Sequence, residues 1–120
     1  MKNLSLLIIC ITIGQAVISQ QTRYYTDSDE KFKAAKEYFQ KEKYSLAYPL
    51  LKELRQDIRE TNKVNQPIVV QEINYYAIVC ALKQNEGRAE EEAQQYIDVE
   101  KNNARVQMMN YHLAEYYFRT

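Results

Sequence analysis

His112 stands three residues before Glu115, a spacing that puts both side chains on one face of a helix. Imidazole and carboxylate both ligate metals, but two donors make half of a tetrahedral site and two more would be needed. The pair therefore reads as a histidine on a helix surface or between packed helices. Cys80 is the next candidate, since a thiolate can act as a nucleophile when a base activates it. His112 is the only histidine and lies far along the chain, while Cys80 falls in AIVCA (77–81), at a packing position. A buried, inert thiol is the reading that fits. Glu90, Glu91 and Glu92 form a run of carboxylates, but in the first turn of a helix such a run complements the helix dipole. There is no glycine-rich phosphate loop and no nucleophile elbow. These residue types predict a non-enzymatic protein with no metal and no cofactor.

The elements that would carry these residues are helices. The chain has 120 residues with only two Gly and two Pro, so little interrupts helical periodicity. Basic and acidic residues are 16 each, which argues against a nucleic-acid partner. A first helix is expected to be capped by Ser28 or Asp29, with Phe32, Ala35, Tyr38 and Phe39 on one face. KEK (41–43) breaks it. A second is expected to start near Ser45, carrying Leu46, Leu50, Leu51, Leu54 and Ile58, with Pro49 in or just after its first turn, where a missing N–H costs little. KVNQP (63–67) ends it. A third helix spans about 67–84 with Ile73, Tyr76, Ala77, Cys80 and Ala81 inward. QNEG (84–87) is a turn in which Gly87 is expected to be left-handed. A fourth runs from Arg88 to about Lys101 over Ala89, Ala93, Tyr96 and Ile97. A fifth begins near Ala104, with Val106, Met109, Leu113, Ala114, Tyr117 and Phe118 as its apolar set.

The pattern A-x-x-Y-F occurs at 35–39 and again at 114–118, with a related A-x-x-C-A at 77–81. A second alanine follows twelve positions on, Ala35 to Ala47 and Ala77 to Ala89. Small residues at such points let two helices approach closely, and bulky ones fill the gaps between pairs. AKEYFQKEKYSLAYPLLKEL (35–54) resembles the tetratricopeptide repeat family through Ala35, Tyr38, Tyr44, Ala47, Leu51 and Leu54. A second unit matches through Ala77, Ala89, Ala93 and Tyr96, with Cys80 where an aromatic is usual. A third is half present in Leu113, Ala114 and Tyr117. The alanine spacings exceed the family's repeat length, and Glu42 stands where the family has a turn glycine. The resemblance implies an all-α solenoid of antiparallel helix pairs, about two and a half repeats over 29–120, with units near 29–64, 67–102 and 104–120.

The first residues read differently. Lys2 precedes the apolar run LSLLIICITI (4–13), and Val17 and Ser19 suit a cleavage site. Residues 1–19 are expected to be a secretory signal peptide, too short in its apolar run to span a membrane. Residues 20–28 are a polar lead-in. Ile9 before Cys10 argues against a lipid anchor there, and Cys80 alone forms no internal disulfide. An exported protein, periplasmic or associated with the outer membrane of a bacterium, is the expectation.

The resemblance further implies a concave groove on the first helix of each pair. The family's groove positions fall here on Lys36, Phe39 and Gln40, on Asn74, Ile78 and Ala81, and on Tyr111, Glu115 and Phe118. A peptide or a partner helix is the expected occupant. Two other readings are a helical-repeat part of an envelope glycan-binding protein and an accessory region of a longer enzyme. The fifth helix has no partner within the chain, which suggests an N-terminal fragment. It also predicts exposure of Val106, Met109 and Leu113, with self-association through 104–120.

Overall fold

The computed structural model describes residues 27–61 and 67–120. The signal-peptide reading of 1–19, most of the lead-in and most of the break at 63–67 lie outside them. The described residues form helices and no strand: α1 (Ser28–Gln40), α2 (Tyr44–Thr61), α3 (Pro67–Lys83), α4 (Ala89–Val99) and α5 (Asn103–Arg119).

Helix ends follow local hydrogen-bonding chemistry. Asp27, not Ser28 or Asp29, caps α1, its carboxylate accepting from the Asp29 N–H at 3.2 Å. Asn102 caps α5 by accepting from the N–H groups of Ala104 and Arg105 at 3.0 and 3.2 Å. α2 begins at Tyr44, where the Lys43 carbonyl accepts from Leu46 and Ala47 at 3.0 Å each. Ser45 is thus a first-turn residue rather than the cap, and Pro49 lies inside the helix. The ring nitrogen cannot donate back to the Ser45 carbonyl, so one rung of the ladder is missing there.

Two connections share one design. After α1, the Lys43 N–H donates to Tyr38 O at 2.8 Å, and Glu42 takes φ 56°. After α3, the Glu86 N–H donates to Ala81 O at 3.0 Å, and Asn85 takes φ 56°. Both have the six-to-one closure that ends a helix on a left-handed residue. The expectation at Gly87 is overturned: Asn85 does this work, and Gly87 has no positive φ. The closure needs its left-handed residue one step before the six-to-one donor, and Gly87 comes one step after it.

Short connections make sequential helices antiparallel. Lys31 near the start of α1 meets Glu53 and Asp57 well along α2, at 3.1 and 3.6 Å. Phe39 near the end of α1 meets Tyr44 at the start of α2. Odd-numbered helices instead run parallel. Lys36 reaches Glu72 and Phe39 meets Tyr76 across α1–α3, while Tyr75 meets His112 and Leu82 meets Arg119 across α3–α5. The Leu82–Arg119 pair is separated by 37 residues, as are Phe39–Tyr76 and Tyr75–His112.

α3 is central, packing against each of the other four. One cluster joins Phe32 and Ala35 to Ala47, Leu51, Leu54, Ile73, Ala77 and Cys80. The other joins Ile78, Val79, Ala81 and Leu82 to Ala89, Ala93, Tyr96, Met109 and Leu113. The paired alanines are where the spacing places them: Ala35, Ala47 and Ala77 have no exposed surface. The expected exposure of Met109 and Leu113 is overturned. They are 0% and 8% exposed, because α5 lies over the seam between α3 and α4 and closes the second cluster itself. Its exposed side is a different one, carrying Tyr111, Ala114, Tyr117 and Phe118.

Candidate functional site

α3, central in the packing, buries Ile73 and the run Ala77–Leu82, while its other described side chains reach the surface at least in part. Glu72, Tyr75 and Tyr76 do so along the seam with α5. There they line a depression of about 250 Å³ with Ala104, Arg105 and Met108. A second, of about 630 Å³, opens beside it where the α4–α5 connection passes the start of α3. It is bordered by Ile68, Gln71, Val99 and the segment Glu100–Asn102. Arg105 borders both, so the two form one groove. Ile68 is 71% exposed, Val99 66% and Met108 48%, which gives the groove three unburied apolar anchors.

The polar floor is organised around Glu100, whose side chain is only 7% exposed. It accepts from the Tyr96 hydroxyl at 2.8 Å and the Asn102 N–H at 2.9 Å, with Arg105 Nη1 at 3.5 Å. Burial pushes its pKa up, but the backbone N–H groups of Asn102 and Lys101, the Tyr96 hydroxyl and Arg105 outweigh that and hold it below the usual value. Tyr96 is shifted the other way, by burial and then by the hydrogen bond to Glu100. Glu100 is therefore a fixed anion that positions Arg105, and Arg105 has further N–H donors at the groove.

A ring ladder continues from this groove toward α1. Tyr76 packs edge-on against Phe39 at 4.7 Å and Phe32 at 6.2 Å, and Lys36 Nζ lies 4.6 Å over the Phe32 ring. Lys36 also reaches Glu72 at 3.8 Å. At the other end Tyr75 meets His112, and Glu115 accepts from Lys83 Nζ at 2.6 Å.

Of the residues expected in a groove, Lys36 and Phe39 fall on this face with Glu72 and Tyr76, and Glu115 falls on the α3–α5 seam. Gln40 is exposed beyond Phe39, and Asn74 is half-buried. Ile78 and Ala81 are only 3% and 4% exposed, because α4 and α5 cover that side of α3. They are core residues and offer nothing to a ligand. Tyr111 and Phe118 are 62% and 96% exposed, but Phe118 is nine residues from buried Met109, about half a turn round the helix. Ile68, Val99, Arg105 and Met108 escaped the motif reading. The apolar residues at helix ends, Ile68 after Pro67 and Val99 before Glu100, were the available signal.

Among the described residues, Cys80, His112 and the carboxylates of α4 lie in separate environments. Cys80 has no exposed surface, and burial pushes its thiol up to about 12. His112 Nδ1 is buried without a hydrogen-bond partner, 3.7 Å from Glu115 Oε2. Glu92 pairs with Arg55 at 2.9 Å, and Glu91 with Arg88 at 3.1 Å. Among the described residues no group of three or more His, Cys, Asp or Glu is placed to hold a metal. No helix among them is long and apolar enough to cross a membrane. A larger hollow of about 770 Å³ lies outside α2, but charged side chains dominate its lining and Lys52 covers the Tyr48 ring at 4.9 Å. Comparison with protein families, curated proteins and solved structures finds no match to this chain.

Proposed function

We propose that the protein is a non-catalytic interaction scaffold, built as a tetratricopeptide-like stack of helix pairs, that receives a peptide or a partner helix along its α1, α3 and α5 face. Support for the stack comes from two repeated features. The same left-handed closure ends α1 and α3, and α1, α3 and α5 pack side by side in the same direction. The observation that carries the binding reading is the groove itself. Exposed Ile68, Val99 and Met108 flank an arginine already oriented by a buried carboxylate. Apolar anchors around a few placed polar groups are what a docked segment needs. The balanced charge favours a protein partner over nucleic acid. The charged start and apolar run of residues 1–13 support export, and we place its action in the bacterial envelope on that basis.

The test is a displayed-peptide selection on the full chain, followed by affinity measurements on Met108→Glu and Ile68→Glu. Both side chains are exposed, so helicity should be kept. Binding should weaken by about tenfold or more, the loss expected when an interface anchor is charged. Selected peptides that bind both variants as tightly as the parent would remove the groove from the proposal.

A further inference from the structure

In α1, Ala35 of the A-x-x-Y-F pattern has no exposed surface, and Ala47, also with none, joins it from α2. The same pattern recurs in α5, yet there Ala114 is exposed, Tyr117 is 48% exposed and Phe118 is 96% exposed. With Tyr111 at 62%, α5 presents a helical face that no element of the described chain covers.

We propose that this face pairs with the same face of a second copy of the chain, α5 against α5, antiparallel across a two-fold axis near Ala114. Three observations select a second copy. The face carries no charge: Gln107, Asn110, Tyr111, Ala114 and Phe118 are all neutral. The charged residues of α5 are turned elsewhere, Arg105 to Glu100, Glu115 to Lys83, and Arg119 to the Leu82 carbonyl and Asn85. Two copies therefore meet without like-charge repulsion. The face is also close to palindromic. Tyr111 precedes Ala114 by three residues and Phe118 follows it by four, so reversal brings each tyrosine toward the other copy's phenylalanine while the small alanines allow close approach. The area is of a suitable order as well. Tyr117 is held against α4 by Glu90 and Gln94, so the face rests on Tyr111 and Phe118, whose rings at their exposures offer on the order of 300 Å². Gln107, Asn110 and Ala114 add to this toward the roughly 800 Å² each partner gives to a standard interface.

The pairing is independent of the groove, because Arg105 and Met108 face the α3 seam and Ala114 and Phe118 face away from it. Sedimentation of the full chain at about 100 µM should show a dimer. Phe118→Glu should raise the dissociation constant at least about tenfold, with unchanged helicity. In a Cys10→Ser background, Ala114→Cys should cross-link to itself under mild oxidation, whereas Gln95→Cys on exposed α4 should not. Cys80 is buried and will not interfere. A monomer at that concentration overturns self-pairing and leaves the face to a helix of another partner. So does a dimer indifferent to Phe118→Glu, or an Ala114→Cys chain that links no faster than Gln95→Cys.

Discussion

Lys83 Nζ lies 2.6 Å from Glu115 Oε2, tying the end of α3 to α5, and the same oxygen stands 3.7 Å from the buried Nδ1 of His112. His112 is wedged between the rings of Tyr75 on α3 and Tyr111 on its own helix, with its side chain 13% exposed. The α3–α5 junction thus contains an imidazole that is better off neutral.

This arrangement makes the junction acid-sensitive. Burial lowers the His112 pKa below 6.5, Lys83 lowers it further, and Glu115 opposes both without prevailing. The unfolded chain therefore takes up a proton at His112 more readily than the folded one. Stability from this group is complete above pH 6.5 and is lost as pH falls toward the depressed folded value. Glu115 acts in the same direction lower down: its hydrogen bond from Lys83 holds it below 4.5, so its contribution disappears only as pH falls through that lowered value. Urea midpoints should fall between pH 7.5 and pH 5. His112→Phe keeps a ring against Tyr75 and should flatten that first decline; an equal decline in this variant would clear His112 of the effect.

Cys80 should be silent toward thiol reagents in the folded protein. A thiol with no exposed surface and a pKa of about 12 supplies almost no thiolate at pH 8. In a Cys10→Ser chain, labelling of Cys80 should be at least about a hundredfold slower than in urea and should follow the unfolding rate. Fast labelling without unfolding would mean that the α1–α2–α3 core opens locally around it.

The packing was readable in the sequence because alanine spacing is a direct consequence of helix contact: Ala35, Ala47, Ala77, Ala89 and Ala93 are all buried as their positions predict. Cap and turn positions shifted by a residue or two, since Asp27, Ser28 and Asp29 can all cap, and Asn85 tolerates the left-handed region nearly as well as glycine. Ile78 was misplaced for a different reason. α3 is covered on opposite sides, so its apolar residues extend almost all round and periodicity does not say which side is open. The groove was the least legible part. Ile68 and Val99 are far apart in sequence and become neighbours only when the α4–α5 connection passes the start of α3.

The related alanines Ala77 and Ala114 should respond unequally to enlargement. Ala77 lies where α3 meets α1 and α2, so Ala77→Leu forces extra methyl groups into a filled site and should cost about 1–3 kcal/mol. Ala114→Leu, on the exposed face of α5, should stay within about 0.5 kcal/mol when measured by urea unfolding in dilute protein. Equal costs at both positions would show Ala114 covered within a single chain, against the packing described.

Glycine exchange at the two turns should reverse the ordinary intuition about which residue belongs there. Glu42 holds φ 56°, a conformation that costs a residue with a Cβ about 1–2 kcal/mol. Glycine removes that cost but gives back about 0.5–1 kcal/mol in unfolded-chain entropy. Glu42→Gly should therefore stabilise by about 0.5–1 kcal/mol. Gly87 is the opposite case: its φ is not left-handed, and a Cβ there would meet nothing within 4 Å. Gly87→Ala should restrict only the unfolded chain and stabilise by about 0.4–1 kcal/mol. The two turns lie side by side, with Gln84 Nε2 donating to the Tyr44 carbonyl at 3.4 Å, so a departure of the double variant from the sum of the two gains in its urea midpoint would measure the coupling between them. A destabilised Gly87→Ala would place the left-handed residue of the second turn at Gly87 after all, and with it the boundary of α4.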